Sequence, residues 1–219
     1  MIFKQLPSAV LWDMDGTLID SEPYWMKSEG AFAKANNSTW TEQDGLSLVG
    51  MSLYDSSKII KAKVGSDLEP EQIIAQLTDE VTAQLKQEIL WRPGARELLL
   101  LLRKKKMKTA LVTMSMHRMA KQVADAIGFD AFDVIVAGDD VLHGKPHPEA
   151  YLKAASLLGV RPEDCVAFED SISGLKSAEA AGTRAVGIKN IVELPAEPGR
   201  IVWDTLEGVS LSDLRGLFK

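Results

Sequence analysis

The stretch Ala9-Val10-Leu11-Trp12-Asp13-Met14-Asp15-Gly16-Thr17-Leu18-Ile19-Asp20 begins as an apolar run with no helical period and ends in two carboxylates and a turn. This pattern predicts a buried strand emptying into a loop. On an extended strand, residues two apart project alike, so Asp13 and Asp15 can both reach one site just past the strand end. Gly16 lets the backbone turn closely around that site. By itself the motif is also compatible with a plain turn before a helix.

Similar short apolar runs recur at Ala110 to Thr113, Val134 to Ala137, Cys165 to Phe168 and Ala185 to Ile188. Helical patterns lie between them: Ala95 to Lys106, Met116 to Ile127, Pro148 to Leu158 and Gly174 to Ala181, three of them followed by a glycine. Alternation of strand and helix from residue 93 to 190 predicts an α/β fold with a doubly wound parallel sheet. A last short strand and helix are expected within Arg200 to Leu217. In such sheets the loops at the carboxyl ends of the strands carry the site.

The segment from Asp20 to Trp91 breaks the rhythm, with helical patterns but no convincing strand. Ile73, Leu77, Val81 and Leu85 recur every four residues after Pro70, one face of a helix. The expected organisation is a core of residues 1–19 and 92–219 with an all-α cap of residues 20–91 inserted after the first strand.

Composition limits the function. The 219 residues are 46% hydrophobic with a formal net charge of -6, an ordinary globular balance that disfavours nucleic acid as a partner. The leucine run Leu98 to Leu102 is too short to span a bilayer, and the basic run Arg103 to Lys106 after it reads as a solvated helix end. A lone Cys165 and no leader-like segment point to a cytoplasmic protein. Monomer is the simplest expectation.

The other strand ends carry complementary chemistry. Thr113, followed by Met114 and Ser115, offers a hydroxyl and free backbone amides to an oxyanion. Lys145, in His143-Gly144-Lys145-Pro146-His147-Pro148, is a fixed cation for phosphate. Glu169 and Asp170 follow the Cys165 strand and precede Ser171, a candidate helix cap, and their hard oxygens suit Mg2+. Singly, each has a plain structural explanation; together, at the ends of parallel strands, they define a site. His143 and His147 flank Lys145 without a third ligand at zinc-like spacing.

On DMDGTLIDSE, LVTMS, GKPHPEAY and FEDSISG, standing in this order and strand context, the chain resembles the haloacid dehalogenase superfamily, in its phosphatase-like branch with a helical cap after the first strand. The resemblance covers nearly the whole chain and implies a Rossmann-like core. It implies Asp13 as nucleophile, Asp15 as general acid and base, Thr113, Met114 and Lys145 at the phosphate, and a magnesium site of Asp13, the Asp15 carbonyl and Asp170. Glu169 would ligate directly or from behind. Glu22, Trp25 and His117 are further candidates for substrate or cap contacts, and Ser21 for orienting the acid. Tyr24, Trp25 and Trp40 are each placed to line a sugar-sized pocket or to pack the cap, with packing the preferred reading for any one of them. The implied activity is hydrolysis of a small phosphorylated metabolite, a sugar phosphate, through an aspartyl-phosphate.

Two other readings remain at this level. β-Phosphoglucomutase has the same core, motif order and cap position, but carries a histidine where this chain aligns Trp25 and an arginine where Leu53 follows Gly50-Met51-Ser52. A phosphorylated receiver module also uses a strand-end Asp, Thr, Lys and acidic ligands. Its acid pair comes early and it lacks a large cap.

Overall fold

The structure, a computed structural model, describes residues 6–218; residues 1–5 and 219 of the expected core lie outside it. Its strands are β1 (Ala9–Trp12), β2 (Lys108–Val112), β3 (Val134–Val136), β4 (Cys165–Glu169), β5 (Arg184–Ile188) and β6 (Ile201–Trp203). They form one parallel sheet in the order β3-β2-β1-β4-β5-β6. All four residues of β1 are fully buried, which is why the strand reads as a continuous apolar run. Successive connections run outward to β2 and β3 on one side of β1 and to β4, β5 and β6 on the other. The order therefore reverses beside β1, and a crevice opens there at the strand carboxyl ends.

Alternation along the strands divides the core between the two faces of the sheet. Val10, Trp12, Leu111, Val166 and Phe168 face one way. There they meet α5 (Ala95–Lys104) through Leu98, Leu99 and Leu102, and α6 (His117–Ala126) through Met119 and Val123. Ala9, Leu11, Ala110, Val112 and Ala167 face the other way, against α7 (Glu149–Leu158) and α8 (Ile172–Ala180). That second face is built of small residues on both sides, Ala150, Ala154 and Ala155 among them, so α7 can lie close to the sheet. The C-terminal helix α9 (Leu211–Gly216) adds Leu214 to the first face.

Between β1 and β2 lie α1 (Glu22–Ala35), α2 (Glu42–Leu46), α3 (Leu53–Val64) and α4 (Pro70–Leu85), with no strand among them. They enclose a small core of their own, in which Phe32, Ile60, Ile73 and Leu77 are almost fully buried. The same stripe of α4 continues through Val81 and Leu85 into the main core. The outgoing and returning chains run side by side: Asp20 N donates to Leu90 O at 2.6 Å, Arg92 N to Leu18 O at 3.1 Å, and Ile19 bridges Trp91 antiparallel.

Local chemistry moves several boundaries from their expected places. Helix α8 begins at Ile172, not Gly174, because the Ser171 side chain caps it by accepting from Gly174 N at 3.0 Å. Helix α5 stops at Lys104, and Lys106 takes a left-handed φ of 55°. Arg103, expected at a solvated end, instead pairs with Asp133 at 2.7 Å and Asp130 at 3.2 Å. Among the described residues no helix is long and apolar enough to cross a membrane.

One glycine of α1 is dispensable. A Cβ at Gly30 would meet nothing within 4 Å, and the position lies well inside the helix. Gly30→Ala is expected to stabilise the protein by about 0.5–1 kcal/mol, read as a higher midpoint in urea denaturation with an unchanged slope.

Candidate active site

Every strand-end candidate from the sequence converges on one place. Asp13 follows β1 directly, with its amide bonded to Phe168 O at 3.1 Å. Its Oδ1 accepts from Lys145 Nζ at 2.7 Å. Lys145 also pairs with Glu169 at 2.6 Å and donates to Val112 O at 2.9 Å, which joins the ends of β1, β2 and β4 through one ammonium. Burial alone would lower the lysine pKa, but Asp13 and Glu169 outweigh it and hold the group above its ordinary value.

Asp15 occupies a different environment two residues on. Its Oδ1 accepts from Ser21 Oγ at 2.5 Å, and its Oδ2 from Ser115 Oγ at 2.7 Å and Thr113 Oγ1 at 3.3 Å. The hydroxyl expected at the phosphate, Thr113, thus points at Asp15. The Ser115 amide, expected free, donates back to Thr113 Oγ1 at 3.0 Å. Met114 lines the cavity and its sulfur accepts from the Lys145 amide at 3.2 Å, which seats the lysine loop.

Glu169 and Asp170, adjacent in sequence, face different partners. Glu169 is fully buried; beyond Lys145, it accepts from Tyr151 Oη at 2.6 Å and Ser171 Oγ at 3.3 Å. Asp170 accepts from Thr17 Oγ1 at 3.2 Å and Asn190 Nδ2 at 2.8 Å. Ligand oxygens of Asp13, Glu169 and Asp170 all lie within 4.8 Å of one another. Burial, Glu169 and Asp170 push Asp13 well above the carboxylate range, with Lys145 opposing them. Asp170 is raised to about 7, mainly by burial.

Three buried carboxylates share one ammonium, so the cluster is short of positive charge, and a hard oxygen set of this kind fits Mg2+. Two glycines make room for it. A Cβ at Gly16, where φ is +82°, would lie 2.0 Å from Asp170 Oδ2; one at Gly174 would lie 1.9 Å from Glu169 Oε2.

Asp13, Asp15, Lys145 and Asp170 form the floor of a cavity of about 510 Å³ whose far wall comes from the helices between β1 and β2. Glu22 and Trp25 of α1 line it, and Trp25 also packs against the core. His117 does not: its amide and ring bond Asp139 and Asp140 at 2.7 and 2.6 Å. Tyr24 and Trp40 also stay out of the lining and bond Glu88 O and Glu29. His143 and His147 do have a third neighbour, Glu149, with ligand atoms within 4.8 Å, which the spacing did not suggest because the helix start folds Glu149 back over the loop. Asn190 and Glu29 were missed altogether. The first sits just beyond a strand end, where the strand-end rule could have found it; the second lies in mid-helix, with no sequence signal separating it from a surface glutamate.

A doubly wound parallel sheet with this strand-end set of acids, lysine and hydroxyls defines a hydrolase of Rossmann-like architecture. The chain belongs to the haloacid dehalogenase-like hydrolases, whose family profile matches residues 7–182. It is 32% identical over 179 residues to the phosphorylated carbohydrates phosphatase of Thermotoga maritima, covering 81% of this chain and 83% of that one. Among solved structures, CbbY from Rhodobacter sphaeroides in complex with phosphate superimposes with a TM-score of 0.82 at 26% identity, covering 93% of this chain and 96% of the other. A β-phosphoglucomutase from Clostridium difficile shares the fold with a TM-score of 0.80 at 23% identity, covering 97% of each chain.

Glu22 gives the site a measurable pH signature. Burial first, then Asp15 and Asp170, raise its pKa from 4.5 to about 8. The folded protein therefore holds this proton more tightly than the unfolded chain, and the stability it contributes, complete below pH 4.5, is lost as pH rises towards 8. With chelator present, Glu22→Gln is expected to gain melting temperature over the wild type progressively across that window. A constant difference between the two melting curves would show that Glu22 titrates normally.

Proposed function

We propose that the protein is a magnesium-dependent phosphatase that hydrolyses a small phosphomonoester, a sugar phosphate, through an aspartyl-phosphate. The observation that carries this reading is the divergence of the two β1 acids. Asp13 is held by Lys145 at one oxygen only, leaving Oδ2 without a hydrogen-bond partner among the described residues, whereas Asp15 is surrounded by three hydroxyls. One keeps an oxygen free for attack and the other is poised to exchange a proton.

Asp13 attacks phosphorus as the ester P–O bond breaks, and the departing alkoxide takes a proton from Asp15. Water then attacks the aspartyl-phosphate with Asp15 accepting its proton, which releases inorganic phosphate and restores Asp13. Lys145 stabilises charge on the phosphoryl oxygens and holds Asp13 in line, while Thr113 and Ser115 fix the Asp15 carboxyl. Asp13, Asp170 and the Asp15 carbonyl would hold Mg2+, with Glu169 behind them orienting Lys145. Bound there, the ion supplies positive charge that offsets the crowding of carboxylates and screens the phosphoryl group. Helices α1 to α4 act as a cap, residues 20–91, that shields the reacting atoms from bulk water.

The phosphatase relatives support hydrolysis over transfer, and so does the cap: Trp25 stands in the cavity wall where the mutases carry a histidine. A cytoplasmic monomer is the simplest state consistent with this role. Turnover of an aryl phosphate should require Mg2+ and vanish in chelator. Asp13→Asn should reduce kcat by at least about 1,000-fold while circular dichroism stays unchanged, and acid-quenched protein should lose the phosphoryl label that the wild type retains. Metal-independent turnover, or labelled Asp13→Asn, would remove this mechanism.

A further inference from the structure

The strand-end cluster explains how a phosphoryl group is handled and leaves the opposite wall of the cavity unassigned. On that wall stands a buried acid with no role in the chemistry. Glu29 lies two helical turns beyond Glu22, on the same face of α1, and is 6% exposed. Trp40 Nε1 donates to its Oε2 at 3.1 Å, and Oε1 accepts no hydrogen bond among the described residues. Its placement is tight, because a Cβ on Gly45 would stand 3.3 Å from Oε2 and 3.1 Å from Met26 Cγ.

The surroundings are apolar where Glu29 is not. Trp25, Leu48, Ile60 and Leu77 line the same cavity. Glu22, Ser52, Tyr54, Asp55, Ser56 and Ser57 add polar groups to this side of the lining, but Glu29 is the acid set among the apolar residues. Apolar surface beside fixed acceptors matches a polyhydroxylated carbon chain, whose C–H surfaces are apolar and whose edges are donors. Among the described residues, the cavity lining contains one cation, Lys145, and it is already committed to Asp13 and Glu169. None of the described lining residues of the far wall is a cation, and Lys58 behind Tyr54 is paired with Asp55 at 2.7 Å. Burial raises the Glu29 pKa to about 7 in spite of the Trp40 bond, as expected for an acid kept in an apolar wall without a counter-ion.

We propose that Glu29 is a specificity-determining residue: its unpaired oxygen accepts a hydrogen bond from a hydroxyl of an uncharged polyol or sugar carrying a single phosphate, and its position in a cation-free wall disfavours esters with a second anion. The proposal rests on the phosphatase reading and adds the part of the substrate that is recognised. A purely structural role would act through Trp40, and the two are separable.

The test compares kcat/KM of the full chain with Mg2+ on sorbitol 6-phosphate, fructose 1,6-bisphosphate and p-nitrophenyl phosphate. The wild type should prefer the first over the second. Glu29→Leu should lose about 10- to 100-fold on sorbitol 6-phosphate and less than about 3-fold on the aryl ester, which offers no hydroxyl. Glu29→Gln, which keeps an acceptor and removes the charge, should restore most of the polyol activity and raise the relative rate on the bisphosphate by about 10-fold. Trp40→Phe, which deletes the indole donor and spares the carboxylate, should leave the three ratios within about 3-fold of wild type. Equal losses on all esters in Glu29→Leu, unchanged ratios in that variant, or the same selectivity change in Trp40→Phe would overturn the proposal while leaving the phosphatase intact. A wild type that hydrolyses none of the three would overturn both.

Discussion

The ion pairs of Lys145 with Asp13 and Glu169, at 2.7 and 2.6 Å, are the interaction on which the rest of the site depends. The sheet brings the carboxyl ends of β1, β2 and β4 together because their registers place Ala9 beside both Lys108 and Cys165. That convergence would leave buried acids facing each other, at a cost the fold could not bear without a compensating cation. Burial first, and then the repulsion that one ammonium does not remove, leave Asp13 and Asp170 with raised proton affinities. The incomplete compensation leaves the cluster with a surplus of negative charge, which suits the divalent ion proposed for it.

The same economy of charge separates the two β1 acids, which the pleat alone would treat as equivalents. Asp13 is tied to a cation and Asp15 to hydroxyls, so their identical side chains are placed in different environments by their neighbours. Those neighbours come from distant parts of the chain: Ser21 from the start of the helical segment, Thr113 and Ser115 from beyond β2, and Lys145 from the loop before α7. The cavity then has its acidic floor at the sheet and its far wall on α1 to α4.

Much of this was legible in the sequence, and for a physical reason. Parallel strands buried on both faces leave continuous apolar runs, and the residue following each run is located at the site edge by its place in the chain alone. Asp13, Thr113 and Asp170 were readable in that way, and Lys145 from its loop. What the sequence did not show depends on direction rather than position. Thr113 lies where expected but turns to Asp15; His117 is near the right strand but is claimed by Asp140. Glu149 reaches back to two amides of the preceding loop and so joins His143 and His147, a contact that linear spacing conceals. In the helices after β1 the polar and apolar residues have no strand end to register them, so Glu29 was indistinguishable from a solvated glutamate.

The close approach of Gly16 to Asp170 and of Gly174 to Glu169 carries a consequence for how this chain can change over time. In each case the missing methyl is the space that a carboxylate oxygen occupies, so even the smallest side chain collides with the chemistry and not merely with the fold. Sequence drift at these two positions is closed for as long as the acids stay in place. On the far wall the corresponding approach, Gly45 to Glu29 Oε2 at 3.3 Å, is looser and meets the far ends of flexible side chains, so that wall has more room to change than the floor.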